Sequence, residues 1–287
     1  MPVIPAMPTP SRRTLLAAAT ATAATPFLTG LTTQNAYAAP AAASKDHWLT
    51  NTALYADPSV VEGTDYARRY RRHAMLDDDR GRRHDFARSV ILAPHGGGIE
   101  TGTSELCLAI AGYRPKDLAL TPAQGPVYDY WMFEGILKKD NGKLHVTSTN
   151  CDDHVARSLC AGSLNALSLH GCKPEQAGLP AGTPAVLVGG LHATLRSYLI
   201  AEFKAVGIRA QDATGIPALS GTDPDNIVNR TMLGKGAQLE ITTSLRASMF
   251  QDNSATGRQK EQTDIFRNFV SAARTALQRL EAGQKIL

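Results

Sequence analysis

Residues 89–113, SVILAPHGGGIETGTSELCLAIAGY, place a strand pattern, a glycine-rich loop and a helix pattern in immediate succession. SVILAPH is a short apolar, β-branched run that ends at His95, as is typical of a strand. TSELCLAIAGY has the spacing of an amphipathic helix and begins with Thr and Ser, which commonly cap helices. The stretch therefore predicts a strand, a loop that carries His95 and Glu100, and a helix.

The alternation of strand and helix patterns continues along the rest of the chain. Strands are predicted at VYDYWMFEG, LHVTST, NALSLHG, AVLVGG and GAQLEITTSL, and helices at DDHVARSLCAG and LHATLRSYLIAEFKAVG. A covering helix is predicted over residues 261–284, with an apolar face of Ile265, Phe269, Ala272, Ala276 and Leu280. This alternation predicts a single α/β domain with a mixed, mostly parallel sheet flanked by helices.

In folds of this class, functional sites gather at the carboxyl ends of the strands. His95, His170 and the Gly189–Gly190 pair each sit where a predicted strand ends. We therefore expect the site to involve these positions.

The first 38 residues have the parts of a twin-arginine export signal. They contain no acid, and they run from the Arg12–Arg13 pair through an Ala/Thr-rich apolar stretch to Ala36-Tyr37-Ala38. The apolar stretch is too short to span a bilayer. We predict cleavage after Ala38 and secretion of the mature chain by the twin-arginine pathway.

Residues 39–88 are polar and rich in arginine, and we predict an N-terminal extension that packs on a hydrolase domain of residues 89–287. The extension contains a basic cluster that could steer an anionic substrate. Its interleaving with Asp77–Asp79 favours a solvated helix face instead. The cluster comprises Arg68, Arg69, Arg71 and Arg72.

The charge balance and the cysteine spacing exclude several classes of protein. Removing Arg12 and Arg13 from the 30 basic residues leaves 28 against 26 acidic residues, which argues against a nucleic-acid partner. No stretch after the leader is apolar for long enough to cross a membrane. We also expect the protein to be a monomer. A thiolate metal site is not expected, because no C-x-x-C pair occurs among Cys107, Cys151, Cys160 and Cys172.

Residues 93–100, APHGGGIE, admit three interpretations. His-Gly-Gly-Gly forms oxyanion holes in esterases, but the chain has no G-x-S-x-G pentapeptide to hold the serine. The phosphate-loop and dinucleotide glycine motifs are absent as well. A zinc site needs imidazoles and a carboxylate, which His95, Glu100 and His170 would provide. From the pattern alone, two interior histidines and a solvated loop carboxylate are an equally good interpretation.

A zinc hydrolase also needs a carboxylate that takes a proton from water without binding the metal. Glu240, in AQLEITT, is the leading candidate. Because Gln238, Glu240 and Thr242 alternate with Leu239 and Ile241, periodicity alone favours a solvent-facing position for Glu240.

Seven segments of the chain resemble the poly-γ-glutamate hydrolase family of zinc-dependent amidases, whose α/β fold is carboxypeptidase-like. In order they are APHGGGIETGTSE, YWMFEG, LHVTSTNCDD, LSLHGC, VGGLHATLR, LSGTDPDNIVNR and GKGAQLEITTSLR. The resemblance implies that His95, Glu100 and His170 bind one zinc ion and that Glu240 is the catalytic glutamate. It also implies that the polar face of the Glu240 strand lines a cleft.

The resemblance further suggests which residues hold a substrate carboxylate. The segment NIVNR makes Asn226, Asn229 and Arg230 the candidates, since the arginine fork can pair both carboxylate oxygens. An arginine that ties a loop to the sheet is the open alternative. Cys151 and His154 depart from the family pattern, and we expect His154 to lie on a helix. His192 is expected at the surface or behind the metal ligands.

The expected function is zinc-dependent hydrolysis of γ-glutamyl amide bonds in poly-γ-glutamate or a related anionic polymer or peptide. A zinc amidase that acts on peptidoglycan stem peptides is the alternative. A third hypothesis is a non-catalytic protein that binds an anionic polymer. The sequence speaks against the third hypothesis, because all four positions that a zinc hydrolase requires are intact.

Overall fold

A seven-stranded mixed sheet runs through the part of the chain that this computed structural model describes, residues 46–73, 89–121 and 125–284. The predicted export signal and Asp77–Asp79 lie outside the described residues. The strands are β1 Tyr66–Arg71, β2 Ser89–Gly97, β3 Asp129–Gly135, β4 Asn165–Cys172, β5 Val186–Gly189, β6 Ala210–Asp212 and β7 Ala237–Thr242.

The strand order across the sheet is β1-β3-β2-β4-β7-β5-β6. The four central strands β3, β2, β4 and β7 are parallel to one another. The edge strand β1 is antiparallel to β3, and the parallel pair β5–β6 is antiparallel to β7. The prediction of a mixed, mostly parallel sheet is confirmed. The carboxyl ends of the four central strands meet at one edge of the sheet, where His95, His170 and Glu240 lie.

Helices cover both faces of this sheet. They are α1 Asn51–Ala56, α2 Thr103–Ala111, α3 His154–Ala161, α4 Ala193–Ala205, α5 Thr243–Ser248, α6 Ala255–Lys260 and α7 Asp264–Gly283. Short 3₁₀ turns occupy Asn141–Leu144, Ser148–Asn150, Pro174–Ala177 and Ile227–Asn229. Among the described helices, none combines the length and the apolar character needed to cross a membrane.

The side chains of β2 show how the sheet separates two apolar layers. Ile91 and Ala93 pack into the layer formed with α2, α4 and α7. Val90 and Leu92 point the other way, into the layer formed with α1 and α3. Because successive side chains of a strand alternate between faces and both faces are covered, β2 reads as a continuous apolar run.

Helix α2 differs from the amphipathic, Thr/Ser-capped helix predicted for it. All nine of its residues are buried, because it packs in the layer between the sheet and α7. Its N-cap is Gly102, whose φ of +97° suits glycine, and no side chain caps the helix. The Thr103 hydroxyl instead donates to the carbonyl oxygen of Glu100 at 2.9 Å.

Two segments adopt structures other than those predicted. The arginines from Arg68 to Arg71 lie in β1 rather than on a helix face, because this backbone pairs with β3 and Arg69 forms a two-pronged ion pair with Glu134. LHVTST forms 3₁₀ turns rather than a strand, because Leu144 and Val146 bury into the apolar layer beneath α1 and α3 instead of joining a ladder.

The direction of β5 corrects a third expectation. Val186 pairs with Ile241 and Gly189 with Gln238, so β5 runs against β7. The Gly189–Gly190 pair therefore lies at the opposite edge of the sheet from His95 and His170, and the expectation that it belongs to the site was wrong.

Candidate metal centre

His95 lies in β2, beyond the point where this strand stops pairing with β4. That ladder ends at Leu92, opposite Ser168, and the register of β2 against β3 shifts between Ala93 and Gly96. The buried His95 ring directs Nε2 at the carbonyl oxygen of Val146, 2.8 Å away. An Nε2–H that donates there leaves Nδ1 as the nitrogen available to a metal.

The glycine-rich loop between His95 and Glu100 follows a path that side chains would block. A Cβ at Gly97 would overlap the carbonyl oxygen of Gly135, and a Cβ at Gly98 would overlap the Asn141 amide. Gly97 also has a φ of +64°, which glycine adopts readily. The loop closes where the backbone N–H of Glu100 donates to the carbonyl oxygen of His95 at 2.9 Å. Five residues thus return the chain to the histidine.

Glu100 connects the two candidate histidines. Its Oε1 lies 3.1 Å from Nδ1 of His95, and its Oε2 lies 3.7 Å from Nδ1 of His170. Oε2 also accepts a hydrogen bond of 2.8 Å from the backbone N–H of Gly171. This bond fixes the carboxylate against β4, directly after the second histidine.

His170 is buried near the end of β4 and presents the same ring nitrogen as His95. Its Nε2 lies 2.9 Å from the Ser168 hydroxyl and 3.3 Å from the Ser148 hydroxyl. Its Nδ1 lies 3.1 Å from Nδ1 of His95. The structure therefore brings together all three residues that the sequence predicts as ligands.

The chemistry of this donor set fits zinc. Ligands placed 2.0–2.1 Å from a tetrahedral zinc ion are roughly 3.3 Å from one another, close to the 3.1 Å between the two Nδ1 atoms. Both histidines engage their other ring nitrogen with a protein oxygen, as metal-bound histidines do. His95, Glu100 and His170, the three predicted ligands, could therefore hold the ion.

The electrostatic environment couples these three groups. Burial opposes charge on His95, but the Glu100 carboxylate beside it outweighs that effect and raises its pKa. Burial also favours a neutral Glu100, yet His95 and His170 lower the pKa of this carboxyl group. Burial, reinforced by His95, lowers the pKa of His170 to about 3. Glu100 is thus the anionic member and His170 the neutral imidazole, which are the forms that bind metals.

Glu240 lies next to this cluster because of the register between β4 and β7. It is the direct partner of His170 in the parallel ladder, and it is buried. Its Oε1 accepts a hydrogen bond of 2.8 Å from Gln238, whose own oxygen accepts one of 2.9 Å from Asn226. Burial, together with the negative charge of Glu100, raises the pKa of Glu240 well above its usual value. The polar face of β7 is therefore inside the protein, contrary to the solvent-facing position that periodicity favours.

A third histidine, His145, lies at the cluster and was not predicted from the sequence. Its ring lies against the His95 ring at an interplanar angle of 33°, with centroids 3.8 Å apart. His95, Glu100 and His145 have potential ligand atoms within 4.8 Å of one another. Asp46 holds Nδ1 of His145 at 2.6 Å and also accepts from the backbone N–H of Thr147. Burial, together with His95, lowers the pKa of His145. The only sequence signal was the histidine within LHVTST, which was interpreted as a strand.

A buried arginine, Arg246, was missed as well. It lies in α5, close to the end of β7, and donates to the carbonyl oxygens of Thr101 and Ile241. Burial lowers the pKa of Arg246, while the nearby carboxyl groups of Glu100 and Glu240 work in the opposite direction. A basic residue near the end of TTSLR gave no reason to expect a buried position.

The predicted substrate-binding residues have separate environments. Asn226 reaches Glu240 through Gln238. Asn229 is buried, and its amide bonds the backbone at Leu191, Gly236, Gly221 and Asp223, as a loop-fixing residue does. Arg230 is exposed and pairs with Asp225 at 2.7 Å. The structure therefore connects only Asn226 to the cluster by side-chain hydrogen bonds.

Two other histidines, His154 and His192, have structural positions outside the cluster. His154 is the exposed first residue of α3, on a helix as expected. His192 is buried rather than at the surface, and its Nδ1 caps α4 by accepting from the backbone N–H of Leu195.

Comparisons with known proteins identify relatives of this chain. The family model described as poly-gamma-glutamate hydrolase matches residues 75–272. The SPbeta prophage-derived protein YoqZ of Bacillus subtilis (strain 168) is 32% identical over 184 residues, 64% of this chain and 60% of YoqZ. YmaC of the same strain is 30% identical over 190 residues, 66% of this chain and 72% of YmaC.

Two solved structures share the fold over most of the chain. A bacteriophage poly-gamma-glutamate hydrolase superposes with a TM-score of 0.67 and 29% identity, covering 83% of this chain and all of that one. The apo, zinc-free form of YndL superposes with a TM-score of 0.65 and 26% identity, covering 82% of this chain and 99% of that one. Since the family match spans more than half of the sequence and includes His95, Glu100, His170 and Glu240, the chain belongs to the poly-γ-glutamate hydrolase family.

Proposed function

We propose that this protein is a zinc-dependent hydrolase that cleaves γ-glutamyl amide bonds of poly-γ-glutamate. The observation that carries the proposal is the convergence of His95 Nδ1, His170 Nδ1 and the Glu100 carboxylate beside a buried Glu240. Family membership supports hydrolase chemistry. The zinc-free form of a relative supports the choice of metal.

One zinc ion is proposed to bind Nδ1 of His95, Nδ1 of His170 and the Glu100 carboxylate. When bound, it would act as a Lewis acid that polarises the scissile carbonyl and makes a water molecule easier to deprotonate. The protein's contribution is to hold the three donors in place. The Gly171 N–H and the Val146 carbonyl fix two of them through bonds of 2.8 Å each.

Glu240 is proposed to move the proton. A carboxylate oxygen of Glu240 takes a proton from the attacking water and returns it to the nitrogen that leaves as an amine. Burial favours the protonated form of Glu240, so the group can give the proton back. The hydrogen bond from Gln238 fixes the orientation of the carboxyl group.

Substrate recognition is proposed to depend on positive charge outside the cluster. The polymer carries a free carboxylate on every γ-linked residue, and the exposed guanidinium of Arg230 can pair both oxygens of one such group. Arg230 would have to exchange Asp225 for the substrate, which is feasible because an exposed ion pair contributes little to stability, about 0–1 kcal/mol.

We also propose that the protein works outside the cytoplasmic membrane. The twin-arginine sequence and the Ala36-Tyr37-Ala38 site support export. Extracellular polymer and cell-wall peptides would both be accessible to it there.

The deciding experiment incubates the purified protein with high-molecular-weight poly-γ-glutamate, with and without a chelator, and follows polymer size by gel filtration. We expect chain shortening that the chelator abolishes and added zinc restores. If zinc is bound and the polymer is unchanged, but muropeptide fragments are released from peptidoglycan, the substrate is the cell-wall amide instead. Polymer binding with no cleavage of either substrate would identify a non-catalytic binding protein.

A further inference from the structure

Arg246 is buried, and its location in the short helix α5 does not explain why. Only 7% of the residue is exposed, although its side chain carries a full charge. Among the described residues it forms no ion pair within 4.0 Å, although buried charges are normally paired. Its hydrogen bonds go to the backbone carbonyl oxygens of Thr101 and Ile241 and to the hydroxyl groups of Thr101 and Thr243, so charge pairing does not keep it in place.

The guanidinium group contacts both segments that carry the candidate ligands. Nη1 donates to the carbonyl oxygen of Thr101 at 2.8 Å, one residue after Glu100. The group also lies against Gly171, one residue after His170: a Cβ there would lie 2.5 Å from Cζ and 2.7 Å from Nε. Nε donates to the carbonyl oxygen of Ile241 at 3.1 Å, one residue after Glu240. The Arg246 side chain thus contacts the three residues that directly follow Glu100, His170 and Glu240.

The charge of Arg246 acts on the same groups. Glu100 and Glu240 are buried carboxyl groups whose negative charges interact with this guanidinium. Two buried acids in one site repel each other, and a cation that contacts the residues next to both of them reduces the repulsion. Arginine suits the position because its planar fork holds five N–H donors in a fixed geometry, whereas lysine carries three donors at one point on a flexible stem.

From these contacts we infer that Arg246 is a positioning residue of the metal centre, which joins the Glu100 loop, β4 and β7 and so sets the affinity of the site for zinc. The inference rests on the proposed zinc site. It also explains Gly171: the position after His170 has no side chain because the guanidinium group occupies that space.

The test measures zinc binding rather than turnover, by competition with a chromophoric chelator. Arg246→Met is expected to weaken zinc binding 10- to 100-fold, the usual effect of losing a group that orients metal ligands. Arg274→Met is the matched control, because Arg274 is also buried and also donates to backbone carbonyls, those of Ile110 and Pro126. We expect Arg274→Met to lose stability while it keeps the zinc affinity of the wild type within about threefold.

A second pair of variants tests the contact with Gly171 without removing the arginine. Gly171→Ala places a methyl group where the guanidinium lies and should weaken zinc binding in the wild-type background. In the Arg246→Met background the same substitution should have little further effect, because the space has been vacated. Arg246→Lys should recover only part of the affinity, and the visible spectrum of the Co²⁺-loaded protein should differ from that of the wild type.

Several outcomes would overturn the inference. Wild-type zinc affinity in Arg246→Met would do so, as would equal losses of affinity in Arg246→Met and Arg274→Met. If Arg246→Met does not fold, Gly171→Ala and Arg246→Lys decide, and unchanged zinc affinity and cobalt spectrum in both would reject the role. Failure of the wild type itself to bind zinc would reject the proposed function instead, so the two failures are distinguishable.

Discussion

His170 and Glu240 are direct partners on the parallel strands β4 and β7. Partner residues on neighbouring strands present their side chains on the same face of a sheet, so this register places a candidate ligand beside the candidate proton acceptor. A slip of one residue would turn Glu240 to the other face, into the apolar layer beneath α4 and α7. The pairing of these strands is therefore a condition for the proposed chemistry.

The histidines should determine the metal content. We expect the wild type to bind about one zinc ion per chain and His95→Ala to bind much less, because removing one of three protein ligands leaves too few donors. Elemental analysis after dialysis against zinc measures this. His154→Ala is the control, since His154 is an exposed helix residue away from the cluster. Full zinc occupancy in His95→Ala would contradict the ligand assignment.

Glu240→Gln should separate chemistry from metal binding. The amide oxygen can still accept the hydrogen bond from Gln238, so the fold and the zinc content should be retained. It cannot accept a proton from water, and kcat should fall by about 10²- to 10⁴-fold. Polymer shortening by Glu240→Gln at the wild-type rate would exclude the assigned role. Glu175→Gln, at an exposed glutamate, should have no effect.

Asn226 and Arg230 should affect different kinetic parameters. Asn226→Ala removes the partner that orients Gln238, so we expect a lower kcat with KM nearly unchanged. Arg230→Ala removes an exposed cation proposed to hold a substrate carboxylate, so we expect a higher KM with kcat nearly unchanged. Steady-state kinetics on poly-γ-glutamate distinguish the two. A raised KM in Asn226→Ala would return this residue to the direct substrate-binding role suggested by the sequence.

His192 should make the protein less stable in acid. Burial, reinforced by Lys235, lowers the pKa of His192 to about 4, and its Nδ1 must be unprotonated to cap α4. Below pH about 6.5, the ordinary pKa of histidine, His192 binds a proton in the unfolded chain but not in the folded chain. The free energy of unfolding should therefore fall as the pH drops from about 6.5 to about 4, by at most about 1.4 kcal/mol per pH unit from this residue.

His192→Asn isolates this contribution, because asparagine caps helices and does not titrate in this range. Urea unfolding at pH 7 and pH 5 should show a smaller loss of stability in the variant than in the wild type. Parallel stability curves for the two proteins would show that His192 does not cause the acid sensitivity.

The sequence pattern predicted that His95 and His170 lie at strand ends, because each follows an apolar run, while the resemblance to the family assigned them as ligands together with Glu100. SVILAPH and NALSLHG end near a histidine, and the parallel alternation implies that such ends meet at one edge. The direction of β5 could not be predicted in this way. AVLVGG has the same apolar pattern whichever way the strand runs. Only the antiparallel pairing of β5 with β7 shows that Gly189 lies at the edge of the sheet opposite His95 and His170.

His145 and Arg246 could not be predicted from the sequence because their positions depend on long-range contacts. Asp46 and His145 are 99 residues apart, and no local pattern connects them. Arg246 contacts Thr101 across 145 residues, and no local pattern around Arg246 connects the two. Glu240 was misplaced by periodicity because alternation shows which face is polar but not what covers that face.

The complete burial of α2 restricts the motion of the glycine-rich loop between His95 and Glu100. The helix begins three residues after Glu100 and has no side that faces water, so an opening that releases Glu100 would expose apolar side chains across the layer shared with α7. Amide hydrogens of Thr103–Ala111 should therefore exchange only when the domain unfolds as a whole. An incoming metal ion would then meet donors that are already in place, with little conformational entropy left to lose on binding.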